Sequence, residues 1–280
     1  MIINCDNYIV DLEFIVNKLR DYRASSVLIQ APDGLKHVVK CIYRYLNKEF
    51  KIHISASPTY GGCDIAFDEA VMLNADAIIH IGHNEYPYLG FKPSIPVIYI
   101  PTYYDWKPSV DFINNIVDVL RAKGVYTIGL SASIQHVNIL GIMRDVFLNH
   151  GFKPIITPAV NGLFEGQVLG CIYSSPLSID NIVDAHLVIA GGRFHALGLA
   201  LVSSKPVLGV DPYRGELWDA TEQARRVLMK RLYIVNKIRN DVNMRIAGVI
   251  AGVKPGQYRL NIVNRVLNIL ESHGFESYVF

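Results

Sequence analysis

This chain is poor in the features that reveal function at a glance. It has only 4 cysteines in 280 residues, and no two of them lie within a few positions of each other. That spacing argues against a disulfide framework and against the tight cysteine pairs of a zinc ribbon or ferredoxin. A net charge of +2 is small for this length, so bulk charge points to neither nucleic acid nor an anionic membrane as a main partner. Apolar runs are strand-sized, broken by His, Asp or Lys well before the roughly 18 residues that a membrane helix needs. Met1-Ile2-Ile3-Asn4 lacks the basic start and long apolar core of a signal peptide. A soluble protein in a reducing cytoplasm is therefore expected.

What is present is repetition. At 51% hydrophobic, 280 residues can build two or three compact domains. Val27-Leu28-Ile29-Gln30 reads as a buried parallel strand, followed by the turn Ala31-Pro32-Asp33-Gly34 and a helix to about Leu46. A short strand Lys51 to Ser55, a cysteine loop, a helix near Asp64 to Leu73 and a strand at Ala77 to Ile81 follow. The second pass runs Tyr126 to Leu130, a helix from about Val137 to Asn149, Lys153 to Thr157, another cysteine, a helix Leu197 to Ser203 and Val207 to Val210. A third pass begins at Arg245 to Ile250, turns at Lys254-Pro255-Gly256-Gln257, continues as a helix from about Leu260 to His273 and stops after Glu276 to Phe280. Helices at about Ile9 to Tyr22, Asp111 to Lys123 and Glu216 to Arg239 precede the three passes.

The pattern predicts an α/β fold of three related domains, each a small parallel sheet flanked by helices. Their expected extents are residues 1–106, 107–212 and 213–280, with the third unfinished. No flexible linker separates them, so tight packing is expected.

Two of the cysteines recur inside the repeats, in Tyr60-Gly61-Gly62-Cys63-Asp64 and Val168-Leu169-Gly170-Cys171. Each precedes a strand that ends in a His-bearing loop, His80-Ile81-Gly82-His83 in the first pass and Gly191-Gly192-Arg193-Phe194-His195 in the second. Both cysteines fall at carboxyl ends of strands, where open α/β sheets gather ligands. The adjoining glycines allow backbone to approach a bulky inorganic group. Three such domains would supply one thiolate each to a 4Fe-4S cluster, leaving one iron open. The plainer alternative is that both are inert buried cysteines. Cys41, within a helical pattern, is expected to be a core hydrophobe, and Cys5, near a terminus, to be incidental.

At these residues the chain resembles the family of 2-(3-amino-3-carboxypropyl)histidine synthase, the iron-sulfur enzyme of the first step of diphthamide synthesis. The segments that carry the resemblance are Pro58-Thr59-Tyr60-Gly61-Gly62-Cys63-Asp64, His80-Ile81-Gly82-His83, Pro96-Val97-Ile98-Tyr99-Ile100, Gly166-Gln167-Val168-Leu169-Gly170-Cys171, Gly191-Gly192-Arg193-Phe194-His195 and Asp211-Pro212-Tyr213. The resemblance implies three α/β domains in a triangle, usually a homodimer, and a non-standard radical reaction of S-adenosylmethionine. In that reaction the 3-amino-3-carboxypropyl group passes to a histidine of translation elongation factor 2, with an electron donor reducing the cluster. It implies Cys63 and Cys171 as iron ligands. Beside them, His83 and His195 are the candidates for contact with reacting groups, and Gln30, Gln135, Arg193 and Gln257 for holding the cofactor or donor.

The departure from the family is the third cluster cysteine, since none follows Cys171. Its equivalent falls just past Phe280, so a chain trimmed within its third domain is expected, with a cluster-free partner subunit of a catalytic homologue as the alternative. Quinolinate synthase, another enzyme with one cysteine in each of three domains, is a further alternative. His80 reads as a satisfied core histidine. Arg225, Arg226, Lys230, Arg231, Lys237 and Arg239 read as a solvated helix face that is also capable of docking a protein.

Overall fold

The computed structural model describes residues 1–89, 93–160, 162–240, 244–254 and 257–280. It opens with a hairpin of β1 (Ile2–Cys5) and β2 (Tyr8–Asp11), turned at Asp6, whose φ is 57°. Alternation along the hairpin drives Ile3, Cys5, Tyr8 and Val10 inward. The first helix, expected from about Ile9, therefore starts only at α1 (Leu12–Asp21), where the Asp11 carboxylate accepts from the Phe14 amide at 3.0 Å.

The first unit contains β3 (Ser26–Gln30), α2 (Lys36–Leu46), β4 (Lys51–Ile54), α3 (Phe67–Met72), β5 (Ala77–Ile81) and β6 (Val97–Ile100). Its sheet is all parallel, in the order β4-β3-β5-β6. β7 (Tyr103–Tyr104) then returns to pair antiparallel with β2. The second unit runs α4 (Val110–Ala122), β8 (Thr127–Ala132), α5 (Leu140–Asn149), β9 (Lys153–Ile156), α6 (Ser174–Ser178), β10 (Ala185–Ile189), α7 (Phe194–Ala200) and β11 (Val207–Asp211). The order β9-β8-β10-β11 repeats that of the first sheet.

β12 (Glu216–Asp219) adds an antiparallel edge to the second sheet, in a stretch expected to be helical, and carries that sheet past residue 212. Only after it does α8 (Ala220–Arg239) begin, capped by Asp219 on the Glu222 amide. β13 (Ile246–Val249), α9 (Leu260–Ser272) and β14 (Glu276–Val279) form the parallel βαβ start of a third unit. Pro255 and Gly256 of the expected turn before α9 lie outside the described residues.

The architecture is thus α/β, with parallel sheets flanked by helices. β3, β5, β8 and β10 are buried on both faces, which is why they read as continuous apolar runs. The duplication extends to a polar clamp. Asp76, just before β5, accepts from the amides of Ser25 and Ser26 at 2.8 Å each, and Asp184, just before β10, accepts from Tyr126 and Thr127 at 2.9 and 2.7 Å.

Two expectations about cysteine are corrected. Cys5 and Cys41 form a disulfide between β1 and α2. The hairpin lays β1 along α2, which brings the buried Cys5 against the inner side of that helix; their separation of 36 residues gave no hint of this contact. Among the described residues, no helix is long and apolar enough to cross a membrane.

Candidate active site

The free thiols are Cys63, half-buried on the loop after β4, and Cys171, exposed on the loop after β9. They come close enough for the charge of one to act on the other. Tyr86 stands beside both, with its hydroxyl hydrogen-bonded to the Cys171 sulfur. The Gln257 side chain hydrogen-bonds the Cys63 sulfur. Burial pushes both thiols up from their ordinary value, and for Cys63 the neighbouring Cys171 adds to the rise. Both therefore keep their protons at neutral pH until a cation arrives to replace them.

The Cys63 loop is held from three sides. The Gln30 amide nitrogen donates to the Asp64 carbonyl at 2.8 Å and to Thr59 Oγ1 at 3.4 Å, while its oxygen accepts from the Ala66 amide at 2.8 Å. Lys254, from the third unit, places its ammonium 2.8 Å from each carboxylate oxygen of Asp64. That carboxylate also accepts from the Tyr60 amide at 3.1 Å. The Cys171 loop hangs instead on Gln167, which is fully buried and donates to Asn84 of the first unit at 2.6 Å.

The glycines of both loops make room for the protein itself. A Cβ on Gly62 would sit 2.7 Å from the Asn84 carbonyl, and one on Gly170 would strike the Phe194 ring. Close approach of backbone to an inorganic group, expected from Gly61, Gly62 and Gly170, is thus not the demand these two positions show.

A cavity of about 510 Å³ is walled by residues of both units. His83, from the end of β5, and His195, from α7, both line it. His80 Nε2 and His83 Nδ1 are 2.8 Å apart, so His83 has a fixed ring and one remaining nitrogen. Burial takes His83 and His195 down to about 4, so each is a neutral ring at pH 7. His195 Nδ1 has no partner. Gln135 lines the same cavity but donates its amide to the Gly82 carbonyl.

Arg193 does not line the cavity. Its guanidinium stacks 4.7 Å over Trp218 and bonds Gln223 and Glu216, on the side facing β12 and α8. A charged fork with an aromatic and a carboxylate already in place is a brace between elements. Gln30 is likewise committed to backbone.

Several cavity residues were not singled out as site candidates in the sequence. His136 is 1% exposed, lies against the Tyr104 and Tyr213 rings, and has neither ring nitrogen partnered. Burial brings it, too, to about 4. Asp211, buried, accepts from the amides of Gly192 and Tyr213 at 2.9 Å each and so fixes two cavity turns together. Tyr8 reaches in from the N-terminal hairpin. The Asp211-Pro212-Tyr213 segment carried a sequence signal, and His136 falls in the turn after β8, at a strand end of the kind where ligands gather; Tyr8 and Tyr86 become site residues through contacts distant in the chain. Among the described residues, no group of three or more His, Cys, Asp or Glu side chains is arranged to hold a single metal ion.

With this geometry in place, comparison with known proteins is informative. A family model described as "Putative diphthamide synthesis protein" matches residues 31–280. The 2-(3-amino-3-carboxypropyl)histidine synthase of Pyrococcus horikoshii is 30% identical over 267 residues, covering 94% of this chain and 74% of that protein. The protein of the same name from Methanocaldococcus jannaschii is 23% identical over 280 residues, again covering 94% and 74%. A crystal structure of Dph2 from Pyrococcus horikoshii with a 4Fe-4S cluster superposes with a TM-score of 0.81 at 28% identity, covering 100% of this chain and 78% of that one.

Proposed function

The chain belongs to the diphthamide synthesis family, and on that footing we propose that it is an aminocarboxypropyltransferase. It would transfer the 3-amino-3-carboxypropyl group of S-adenosylmethionine to a histidine of translation elongation factor 2, the first step of diphthamide synthesis. The observation that carries this reading is that the free thiols Cys63 and Cys171, one from each repeated unit, lie within electrostatic reach of each other and that Tyr86 stands beside both.

The donor set suits an iron-sulfur cluster: thiolate sulfur is its usual ligand, and two thiols from separate loops approach each other here. They provide two ligands, and the 280 residues contain no further free thiol. When bound, a 4Fe-4S cluster would supply the single electron that opens the sulfur–carbon bond of the donor. The protein's part is orientation and proton handling. The donor leaves as its neutral thioether and the acceptor imidazole exchanges a C–H for a C–C bond, so one proton and the electron that opened the donor must both leave the acceptor. His195 Nδ1, neutral and unpartnered, and the free nitrogen of His83 are the groups placed to receive the proton. In this reading Gln257 contacts the cofactor side through Cys63, Gln30 holds the Cys63 loop, Gln135 holds a cavity wall, and Arg193 braces β12 and α8 outside it.

The proposal includes a cytoplasmic location, an external electron donor and a second copy of the chain. The Cys5–Cys41 disulfide does not exclude the cell interior, since intracellular proteins of hyperthermophiles carry such bonds.

The test is anaerobic reconstitution with iron and sulfide, followed by incubation with S-adenosylmethionine, a one-electron reductant and elongation factor 2. The expected result is broad visible absorption and a mass gain on the factor of one aminocarboxypropyl group, both lost in Cys63→Ala and in Cys171→Ala. A coloured, reduced protein that leaves the factor unmodified would reject the transferase.

A further inference from the structure

Residues 1–30 precede the segment that the family model matches, yet one of them, Tyr8, lines the cavity. Tyr8 is 7% exposed, and its hydroxyl donates to the Tyr213 hydroxyl at 2.8 Å across the first and second units. Its ring packs 5.2 Å from Tyr104, its partner in the β2–β7 pairing, and 5.5 Å from His37 of α2. Cys5 is the residue paired with Tyr8 at the closed end of the hairpin. Cys41, its disulfide partner, lies one helical turn after His37 and so on the same face of α2. The covalent link and the Tyr8–His37 contact therefore sit side by side. β7 grips the hairpin through only two residue pairs, Tyr8 with Tyr104 and Ile9 with Tyr103. The cavity itself asks for a ligand, because His136 is buried against it with both ring nitrogens unpartnered.

We propose that residues 1–11 form a latched wall of this cavity: the Cys5–Cys41 disulfide holds Tyr8 against Tyr213, and opening the disulfide weakens the cavity's hold on its ligand. Tyr8 is a positioning residue, acting through Tyr213 and the turn that Asp211 ties to Gly192. Reduction by a dithiol gives each sulfur one electron and one proton and leaves the reductant as its own disulfide. The identity of the ligand as the sulfonium donor rests on the proposed function, whereas the latch rests on the hairpin alone.

The test begins with thiol counting on protein unfolded without reductant. Two free thiols and a cross-linked peptide containing Cys5 and Cys41 are expected, and four free thiols would overturn the latch. The Cys5→Ala/Cys41→Ala double variant then opens the link without touching Cys63 or Cys171. With S-adenosylhomocysteine as the probe, calorimetry should show binding roughly tenfold weaker than wild type, with a comparable loss in Tyr8→Ala. Combining the three substitutions should add nothing, because both changes remove the same contact. In transfer assays both should raise KM for the donor and leave kcat nearly unchanged, a split that general loosening of the fold would not produce. Hydrogen exchange should quicken at Ile3 to Asp11 and at Tyr213 and Arg214. If wild type fails to bind the probe, the donor assignment falls and exchange alone decides: unchanged exchange at Tyr213 and Arg214 in the double variant overturns the latch. Equal affinity in wild type and double variant, or additive losses, does so as well.

Discussion

When Ala77 and Ala185 are taken as equivalent, their sheet partners Val27 and Ile128 become equivalent too. Three steps along, the neighbours Gln30 and His80 of the first sheet then fall on Ser131 and Val188 of the second. One step along, Leu28 and Ile78 fall on Gly129 and His186. The first unit thus carries its buried polar pair at the carboxyl ends of its strands, beside the Cys63 loop and His83. The second carries its own pair near the strand starts, where His186 Nε2 lies 2.9 Å from Asp180 and both Asp180 oxygens accept from the hydroxyls of Ser203 and Ser204. Duplication kept the backbone and the Asp76 and Asp184 clamps, while the costly buried polar groups went to different ends. Along these paired strands, one unit sets its polar pair beside the site and the other sets its own at the far side.

The largest expected effect tests the first half of that contrast. Gln30→Ala leaves the Asp64 carbonyl and the Ala66 amide without partners in a buried loop, which costs about 3 kcal/mol. Urea unfolding would measure it, and alkylation of Cys63 should quicken in parallel as the loop loosens. Ser131→Ala, at the equivalent strand position, should change stability little, because the Ser131 hydroxyl is fully buried and already unpartnered. If the two substitutions cost the same, the assignment of site-shaping polarity to the first unit is wrong.

Next comes the far end of the second unit. A Cβ on Gly129 would sit 2.6 Å from His186 Nδ1, so Gly129→Ala should cost about 2 kcal/mol by overpacking. Restoring the apolar character of the first unit with His186→Ile should shrink that cost, and the double-mutant cycle reads the coupling directly. Additive losses would show that Gly129 answers to something other than His186.

Acid should separate the two ends further. His80, His83, His136 and His195 surround the cavity with ring pKa values held below the ordinary 6.5 by burial, the last three to about 4. Unfolded chains take up these protons first, so the stability these rings contribute is present above pH 6.5 and is lost as pH falls towards 4. Asp180 is held below its ordinary 3.8 by Ser203, Ser204 and His186 against the opposing effect of burial, so its contribution persists until pH falls below that value. Melting temperature against pH should therefore slope between 6.5 and 4 and less steeply in His83→Gln; at the far end burial lowers His186 as well, with Asp180 opposing it, so His186→Ile should flatten the slope by one ring where the cavity end supplies four.

The contrast between units also explains what could be read in advance. Strands such as Ile78-Ile79 and Leu187-Val188-Ile189 announce themselves, because burial on both faces leaves an unbroken apolar run, and the repeat follows from their spacing. The cysteine loops were legible because each sits beside a recognisable strand end. The Lys254–Asp64 ion pair, the Tyr8–Tyr213 contact, the Cys5–Cys41 link and the unpartnered ring nitrogens of His136 were not, because each depends on how segments far apart in the chain are brought together. β12 was hidden for a different reason: Glu216-Leu217-Trp218-Asp219 runs straight into α8 and reads as its first turn, until the antiparallel pairing of Trp218 with Gly209 claims it for the sheet.

The smallest effect concerns what duplication left alike. Asp76 makes three hydrogen bonds, to both Ser25 groups and to the Ser26 amide, and Asp184 makes two, to the Tyr126 and Thr127 amides. These bonds hold both carboxyls below their ordinary value. Replacing either by Ala removes acceptors at the surface, where water can take over part of the role, so each loss should be about 1 kcal/mol. Asp76→Ala should cost slightly more, by the one hydroxyl bond that Tyr126 does not supply in the second unit. Chemical denaturation of the two variants side by side decides the matter. A loss several times larger in one unit than in the other would mean that the framework, and not only its polar lining, has diverged.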